Sequence, residues 1–367
     1  MSAAPEQTGH AARALWAFLA HRHLRDGMLV GPDSGVRFNY RVGRFVKSYT
    51  RALPWRDSLT YMQAQGYWIL ANWRLSAPPH ADRPAAMALE CSRGVLSRQR
   101  PDGAWDYPNP EWRGRVATVE GTWASLGLLE SFRRSGDHSF LHGALAWHRF
   151  LEDRIGWTPA AGGAAVNYFA GRSDSAVPNN TVLVLRLLAE LARATDDDRF
   201  LSRADAALAF LARVQQPNGE MPYNVDPAGG LHTLHFQCLQ YAAFQALDLA
   251  DFADLTGDPR AEEVLSRLIA FLRDRIGAGP VPYACDRRHP SVTYQLAAIA
   301  AALDTGAARG LDGCDRIARR ILAEVLGRAT DDGSFPHSLH DYGVLSDRRG
   351  YPRYLAMILL HLLAPGR

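Results

Sequence analysis

Apolar residues recur at three- and four-residue intervals through long stretches of the chain. Residues 83–99 (RPAAMALECSRGVLSRQ), 181–195 (TVLVLRLLAELARAT), 200–216 (FLSRADAALAFLARVQQ) and 261–276 (AEEVLSRLIAFLRDRI) carry the pattern. That spacing predicts amphipathic helices of roughly 15 to 25 residues, arranged in pairs. Two kinds of connection alternate between them. The short kind (RRSGDHSF, ATDDDRF, LTGDPRA) ends in an acidic or small polar residue suited to cap the next helix. The long kind is rich in Gly, Pro and aromatics: QRPDGAWDYPNPEWRGR, GWTPAAGGAAVNYFAGRSDSAVP, QQPNGEMPYNVDPAGG, GAGPVPYACDRRHP and DDGSFPHSLHDYG.

Glycines of the long connections, Gly103, Gly162, Gly219, Gly279 and Gly333, recur every 54 to 60 residues. One such period holds a hairpin of two substantial helices. Six hairpins fill residues 1–367 as one all-α unit, and closing them into an (α/α)6 toroid buries faces that an open solenoid leaves exposed. A second periodicity agrees. The helices that follow long connections begin at polar residues, Gln63, Glu120, Asn180, Gln237, Gln295 and Arg353, spaced by 57 to 60 residues. If these are the inner helices, their first turns form a polar ring at one mouth.

Composition narrows the function classes. The chain is 47% hydrophobic and 22% charged, with a net charge of +3, which fits a large globular core. Arginine dominates the cations, Lys47 being the only lysine, and no basic run resembles a nucleic-acid patch. The four cysteines, Cys91, Cys238, Cys285 and Cys314, are far apart and none is in a CxxC pair, which argues against a zinc knuckle or a disulfide framework. No stretch reaches the roughly 18 unbroken apolar residues of a membrane span. The amino-terminal segment reads as an amphipathic helix rather than a signal peptide, so the cytoplasm is the expected compartment.

The repeat geometry resembles the (α/α)6 toroids of carbohydrate-active enzymes and, more weakly, those of terpenoid cyclases. Gln99-Arg-Pro-Asp-Gly-Ala-Trp105 is similar to the Q-x-x-x-G-x-W repeat of squalene-cyclase-like proteins, and Gln215-Gln-Pro-Asn-Gly219 is a copy without the Trp. The resemblance implies a structural repeat that ties helix ends together; the acidic D-x-D-D motif of those cyclases is absent, Asp196-Asp-Asp198 falling in a short connection. Pro178-Asn-Asn180-Thr before VLVLRLLAEL resembles the start of the inner helix that bears the catalytic Asp of unsaturated uronyl hydrolases, with an amide in its place. Leu231-His-Thr-Leu-His235 followed by Leu239-Gln240 is similar to the Tyr-His-Thr-x-His stretch of glucuronyl C5-epimerases. Together these imply a site for a uronate-containing saccharide.

Loop aromatics and arginines suit such a ligand, since ring faces stack on sugar C–H surfaces and guanidinium forks clamp carboxylates. Trp105, Arg113, Arg115, Tyr168, Asn180, Tyr223, Gln237, Arg287, His289, Gln295, His337 and Arg353 are the expected substrate contacts, with Tyr40, Trp55, Arg37, Arg41 and Tyr342 on the same loop face. His232 and His235 read as one face of the opening turn of an inner helix, two imidazoles placed for acid–base work near neutral pH. Proton abstraction beside a carboxylate, giving epimerisation or elimination, then assigns His235 as base, Tyr294 as proton donor and Arg115 as the cation on the carboxylate. No metal and no cofactor are expected. Three other readings stand beside it. Glu120, with its pKa raised by burial, pairs with loop Asp102 or Asp106 in a glycoside hydrolase; a dry aromatic cavity takes an isoprenoid; or the toroid binds a glycan or partner protein without catalysis.

Overall fold

The structure, a computed structural model, describes residues 3–34, 58–76, 82–173, 176–226, 230–341 and 343–364. Tyr40, Trp55, Arg37, Arg41 and Tyr342 lie outside the described residues, as does the side chain of His232. Among the described residues, twelve α-helices account for most of the structure: α1 (Ala3–Arg22), α2 (Met62–Leu75), α3 (Asp82–Ser97), α4 (Thr118–Ser135), α5 (His138–Phe150), α6 (Pro178–Thr195), α7 (Ala204–Val214), α8 (Cys238–Thr256), α9 (Pro259–Ile276), α10 (Thr293–Ala308), α11 (Cys314–Leu326) and α12 (Pro352–Leu362).

Even-numbered helices form the inner ring. Each packs on its neighbours in order, α2 on α4, α4 on α6, and so on to α12, which packs back on α2 and closes the circle. Their residues are buried nearly all round, as in α10, where Thr293 to Leu303 is buried throughout. The odd-numbered helices lie outside and bury one stripe only: Val264, Leu265, Leu268, Ile269 and Leu272 in α9. That contrast is what the two hydrophobic patterns encode. Helix α1 is the outer partner of α12, so the first and last helices complete the sixth hairpin. The chain is an (α/α)6 toroid.

Short connections turn as their sequences predict. Asp137 and Asp258 accept the backbone N–H of Ser139 and Arg260, both at 2.9 Å, capping α5 and α9. Gly136, Asp196 and Gly257 end the preceding inner helices in the left-handed region, with φ of 73°, 54° and 68°.

Long connections pack against the next outer helix, and three of their glycines make that approach possible. Gly103, Gly219 and Gly333 have φ of +91°, +88° and +82°, and a Cβ on each would lie 2.3, 2.2 and 2.7 Å from the carbonyl oxygens of Ala146, Arg267 and Ala14. Those carbonyls belong to α5, α9 and α1, so the last glycine seats its loop on the first helix. The glutamines before two of these turns act alike. Gln99 Nε2 donates to Gly103 and Gly143 carbonyls, both at 2.8 Å, and Gln215 Nε2 to those of Gly219 and Val264 at 3.1 and 3.0 Å. The Q-x-x-x-G repeat is therefore a loop-to-helix tie. Trp105 belongs to the same device: it is 1% exposed, and its Nε1 donates to Val95 O at 2.9 Å. It packs under the rim and so is not positioned as the substrate contact expected from sequence.

The described strands are short and sit in the long connections: β1 (Leu24–Arg25) with β2 (Met28–Leu29), β3 (Trp157–Ala160) with β4 (Gly163–Val166), β5 (Asn224–Val225) with β6 (Leu231–Thr233), and β7 (Ser291–Val292), β8 (Ser338–Asp341) and β9 (Leu345–Asp347) in one sheet. The β5–β6 hairpin overturns one expectation. His232 lies in β6, paired across Asn224↔Thr233, and α8 starts only at Cys238. The two histidines therefore do not share the opening turn of a helix. Backbone pairing with Asn224 and Val225 outcompetes the helical continuation.

Candidate functional site

The ring of helix starts is the floor of a cavity of about 640 Å³ on the long-loop face. Gln63, Asn180, Gln237, Gln295 and Arg353 line it. Glu120, the remaining ring position, does not; its Oε2 accepts the backbone N–H of Gln63 at 3.1 Å and so caps α2, whose own Tyr61 provides no side-chain cap. Burial is the main force raising this carboxyl, from its ordinary 4.5 to about 7, against the pull of Arg353 and the α2 amides. Asp102 and Asp106, the proposed partners of Glu120, both pair with Arg100 at the surface, at 2.5 and 2.9 Å. The two-carboxylate arrangement expected for a hydrolase is not assembled.

Tyrosines and amides dominate the rest of the lining. Tyr107, Tyr168, Tyr223, Tyr241, Tyr283, Tyr294 and Tyr354 all reach the cavity. Desolvation holds the Tyr294 and Tyr168 phenols well above the usual tyrosine range, so both stay protonated. Tyr294 O–H and Gln295 Nε2 donate to the same Gln240 Oε1, at 3.1 and 2.6 Å. Gln240 and Tyr241 lie three and four residues beyond Gln237, and Met357 four beyond Arg353. Helical periodicity carries the ring down the channel, and that spacing is the signal by which sequence reading would have found them.

Arg353 is half-buried in this lining, and its fork is taken. Nε and Nη2 donate to the Asp33 carboxylate at 2.7 and 2.8 Å, and Nη1 to Gln63 Oε1 at 3.3 Å. Its plane lies over Tyr61 and Tyr354, 4.3 and 4.7 Å from the ring centres. Arg287 also lines the cavity, with a side chain 70% exposed at the rim. The other two expected clamps fall elsewhere. Arg113 is exposed, and Arg115 stacks over Trp112 and Phe169 at 4.8 and 5.3 Å; neither lines the cavity.

Groups able to move a proton gather on one side. His337 and His289 line the cavity together with Asp341. The carbonyl of His337 accepts the first backbone N–H of α10, from Thr293, at 3.0 Å. Its ring stacks on Tyr294 at 5.8 Å and meets the edges and faces of Tyr351 and Tyr354 at 4.9 and 5.0 Å. Thr118 opens α4 in the same way, bonding to the carbonyl of Tyr168, so the fold aims Tyr168 and His337 by one repeated device. Asp341 is 5% exposed and accepts Ser338 Oγ.

The trio expected to abstract a proton is not brought together. Tyr294 lines the cavity, Arg115 lies outside it, and His235 is 43% exposed with Nδ1 2.9 Å from Glu220 Oε1. Donating its Nδ1–H to the buried Glu220 carboxylate raises the His235 imidazole above its ordinary value. Cys238 and Cys285, 47 residues apart, bring their sulfurs to 2.8 Å beside this pair. The expectation of isolated cysteines fails for these two, because closing the ring sets α8 against the loop before α10. No described helix is long and apolar enough to cross a membrane.

No family model and no curated protein matches the sequence. Solved structures do match the fold. A cellobiose 2-epimerase from Bacillus thermoamylovorans B4167 superposes with a TM-score of 0.74 at 12% identity, covering 97% of this chain and 98% of that one. A sugar epimerase from a ruminal bacterium gives 0.73 at 11% identity, covering 98% and 99%. A family 76 glycoside hydrolase from a bovine Bacteroides thetaiotaomicron strain gives 0.71 at 14% identity, covering 97% and 77%. At these identities the likeness is one of architecture: this chain has the (α/α)6 toroid fold found in enzymes that epimerise or hydrolyse sugars.

Proposed function

We propose that this protein is an enzyme that moves a proton at a carbon of a saccharide, in the manner of an epimerase or isomerase. The observation that carries the reading is the acid–base content of the cavity. Among the described residues lining it, Asp341 is the only carboxylate, accompanied by His289 and His337. Glycoside hydrolysis commonly needs two carboxyl groups flanking the bond, whereas reversible C–H ionisation beside a carbonyl needs a base, a second proton carrier and donors for the enolate oxygen. His337, gripped by Tyr294, Tyr351 and Tyr354, is the proposed base. His289 is the second carrier, and the Tyr and Gln hydroxyl and amide groups hold the oxygen atoms. In the step, the base takes the proton from the carbon next to the open-chain carbonyl. The electron pair passes to the carbonyl oxygen as an enediolate, and a proton then returns to carbon on the same or the opposite face.

The lining also bears on the substrate. Arg353 is committed to Asp33 and Arg287 sits at an exposed rim, so the cavity supports a neutral, hydroxyl-rich sugar over the uronate suggested by sequence. The many amide and phenol groups disfavour an isoprenoid, which needs a dry wall. The test is incubation with reducing mono- and disaccharides, neutral and acidic, in deuterated water, followed by NMR. Deuterium should enter the carbon beside the carbonyl, and His337→Asn should slow the exchange by about 10²–10⁴-fold while the fold is kept. Release of shorter sugars without deuterium at that carbon would return the hydrolase reading, and neither change would leave a binding protein.

A further inference from the structure

Beside the cavity, four side chains from three separate segments converge. Glu220 follows α7, His235 and Cys238 flank the start of α8, and Cys285 lies in the connection between α9 and α10. One donor atom from each falls within 4.8 Å of all the others. Cys238 and Cys285 sulfurs are 2.8 Å apart, His235 Nδ1 and Glu220 Oε1 2.9 Å, and Cys285 Sγ and Glu220 Oε1 3.6 Å.

We propose that these four residues bind a zinc ion in a closed, four-coordinate structural site. Two thiolates, an imidazole and a carboxylate are a donor set that zinc takes tetrahedrally, with bonds of about 2.0–2.3 Å. Such a geometry spaces donor atoms by roughly 3.3–3.8 Å, so the sulfurs part by about an ångström and the widest pair draws in. Charge points the same way. The Glu220 carboxylate is 2% exposed, and among the described residues its ion-pair partner is His235 alone, with no arginine on it. A buried carboxylate beside two thiols is costly without a cation, and a dication supplies the charge. Binding releases the two thiol protons to solvent.

None of the four lines the cavity, whereas their near neighbours Gln237, Tyr283 and Arg287 do. Gln237 has a left-handed backbone, φ 47°, which turns the chain so that His235 and Cys238 reach the cluster while the Gln237 amide bonds Tyr283 on the cavity wall. With four protein donors and no open position, the metal has a holding task. It ties three loops into one wall of the cavity, independently of which reaction occurs there.

The test uses the whole chain. Purified under reducing conditions without chelator, it should carry about one zinc per chain by elemental analysis. After stripping, Co²⁺ should bind at the same ratio and produce thiolate-to-cobalt charge-transfer absorption with the intense visible bands of a tetrahedral site. Stripping should lower the melting temperature, and zinc should restore it. Cys238→Ser and Cys285→Ser should each abolish the charge-transfer band and cut zinc to below about a tenth of an equivalent, while Cys91→Ser and Cys314→Ser keep both. The cobalt titration of the unmutated chain decides the matter even if a serine variant fails to fold. Absence of zinc together with no cobalt band in the reduced chain would overturn the proposal. So would a Cys238–Cys285 disulfide found in unreduced peptides of the native protein.

Discussion

Glu120 shows how a single buried carboxyl serves the architecture. Its Oε2 caps α2 while Oε1 is buried with no hydrogen-bond partner, an arrangement that suits the protonated form. The folded pKa of about 7 exceeds the ordinary 4.5, so the folded state holds the proton more tightly than the unfolded chain. Its contribution is complete below about pH 4.5 and is lost as pH rises through about 7, a difference of about 3 kcal/mol. Glu120→Gln keeps an acceptor for the Gln63 amide and removes the titration. Denaturant unfolding at about pH 5 and about pH 8 should show the unmutated chain losing roughly that much more stability than the variant across the interval. Parallel profiles for the two proteins would rule this account out. Position and role thus part company: the helix-start periodicity placed Glu120 in the ring with Gln63, Asn180 and Arg353, but nothing in one sequence distinguishes a carboxylate facing a cavity from one capping the adjacent helix.

Elements were easier to read than sites because a helix or a tight turn is encoded locally. The apolar stripes, the Asp caps and the recurring Gly turns all depend on residues within a few positions of one another. The Leu231–His235 stretch shows where this fails. Its spacing suits a helix, but the partner that makes it a strand, Asn224–Val225, is set by a loop whose path depends on α7 and α8. The cluster of Glu220, His235, Cys238 and Cys285 was hidden for the same reason, since its members meet only across hairpins. For the Gly turns, the structure supplies a controlled comparison. Gly162 and Gly219 both have positive φ, +78° and +88°, but a Cβ on Gly162 meets nothing within 4 Å while one on Gly219 strikes Arg267 O at 2.2 Å. Gly162→Ala should cost only the left-handed backbone, about 1–2 kcal/mol. Gly219→Ala must also push its loop off α9 and break the Gln215 tie, so its unfolding free energy should fall by at least about 2 kcal/mol more. Equal losses would mean that the loop does not seat on the helix.

Closure is the property of the whole molecule on which the cavity depends, since the lining draws on every inner helix or the loop beside it. Two contacts complete the ring: α12 on α2 within the inner layer, and α1, from the outer layer, on α12 and on its outer neighbour α11, sealed by Gly333 against Ala14 O. Inner helices start at the cavity mouth and outer helices return to it, so the end of α12 and the start of α1 both lie on the opposite face. They stand in the relation that a short connection such as Gly136-Asp137 gives to α4 and α5. A closed ring of equivalent hairpins has no preferred place for its chain break. Joining Ala364 to Ala3 by a short flexible linker and opening the chain at Gly136-Asp137 leaves every helix-to-helix contact in place and disturbs one exposed turn. The permuted protein should fold, unfold in a single transition, and retain its helix content and any zinc or sugar-dependent proton exchange of the parent. Its melting temperature should lie within about 5 °C of the parent's, the shift expected from a loss on the order of 1 kcal/mol or less at one turn. An open solenoid responds differently, because the same cut places two former interior repeats at its ends and exposes their apolar faces. Aggregation of the permutant, or two separate transitions, would therefore argue that the seam between α12 and α1 is not formed, and with it the cavity that the seam completes.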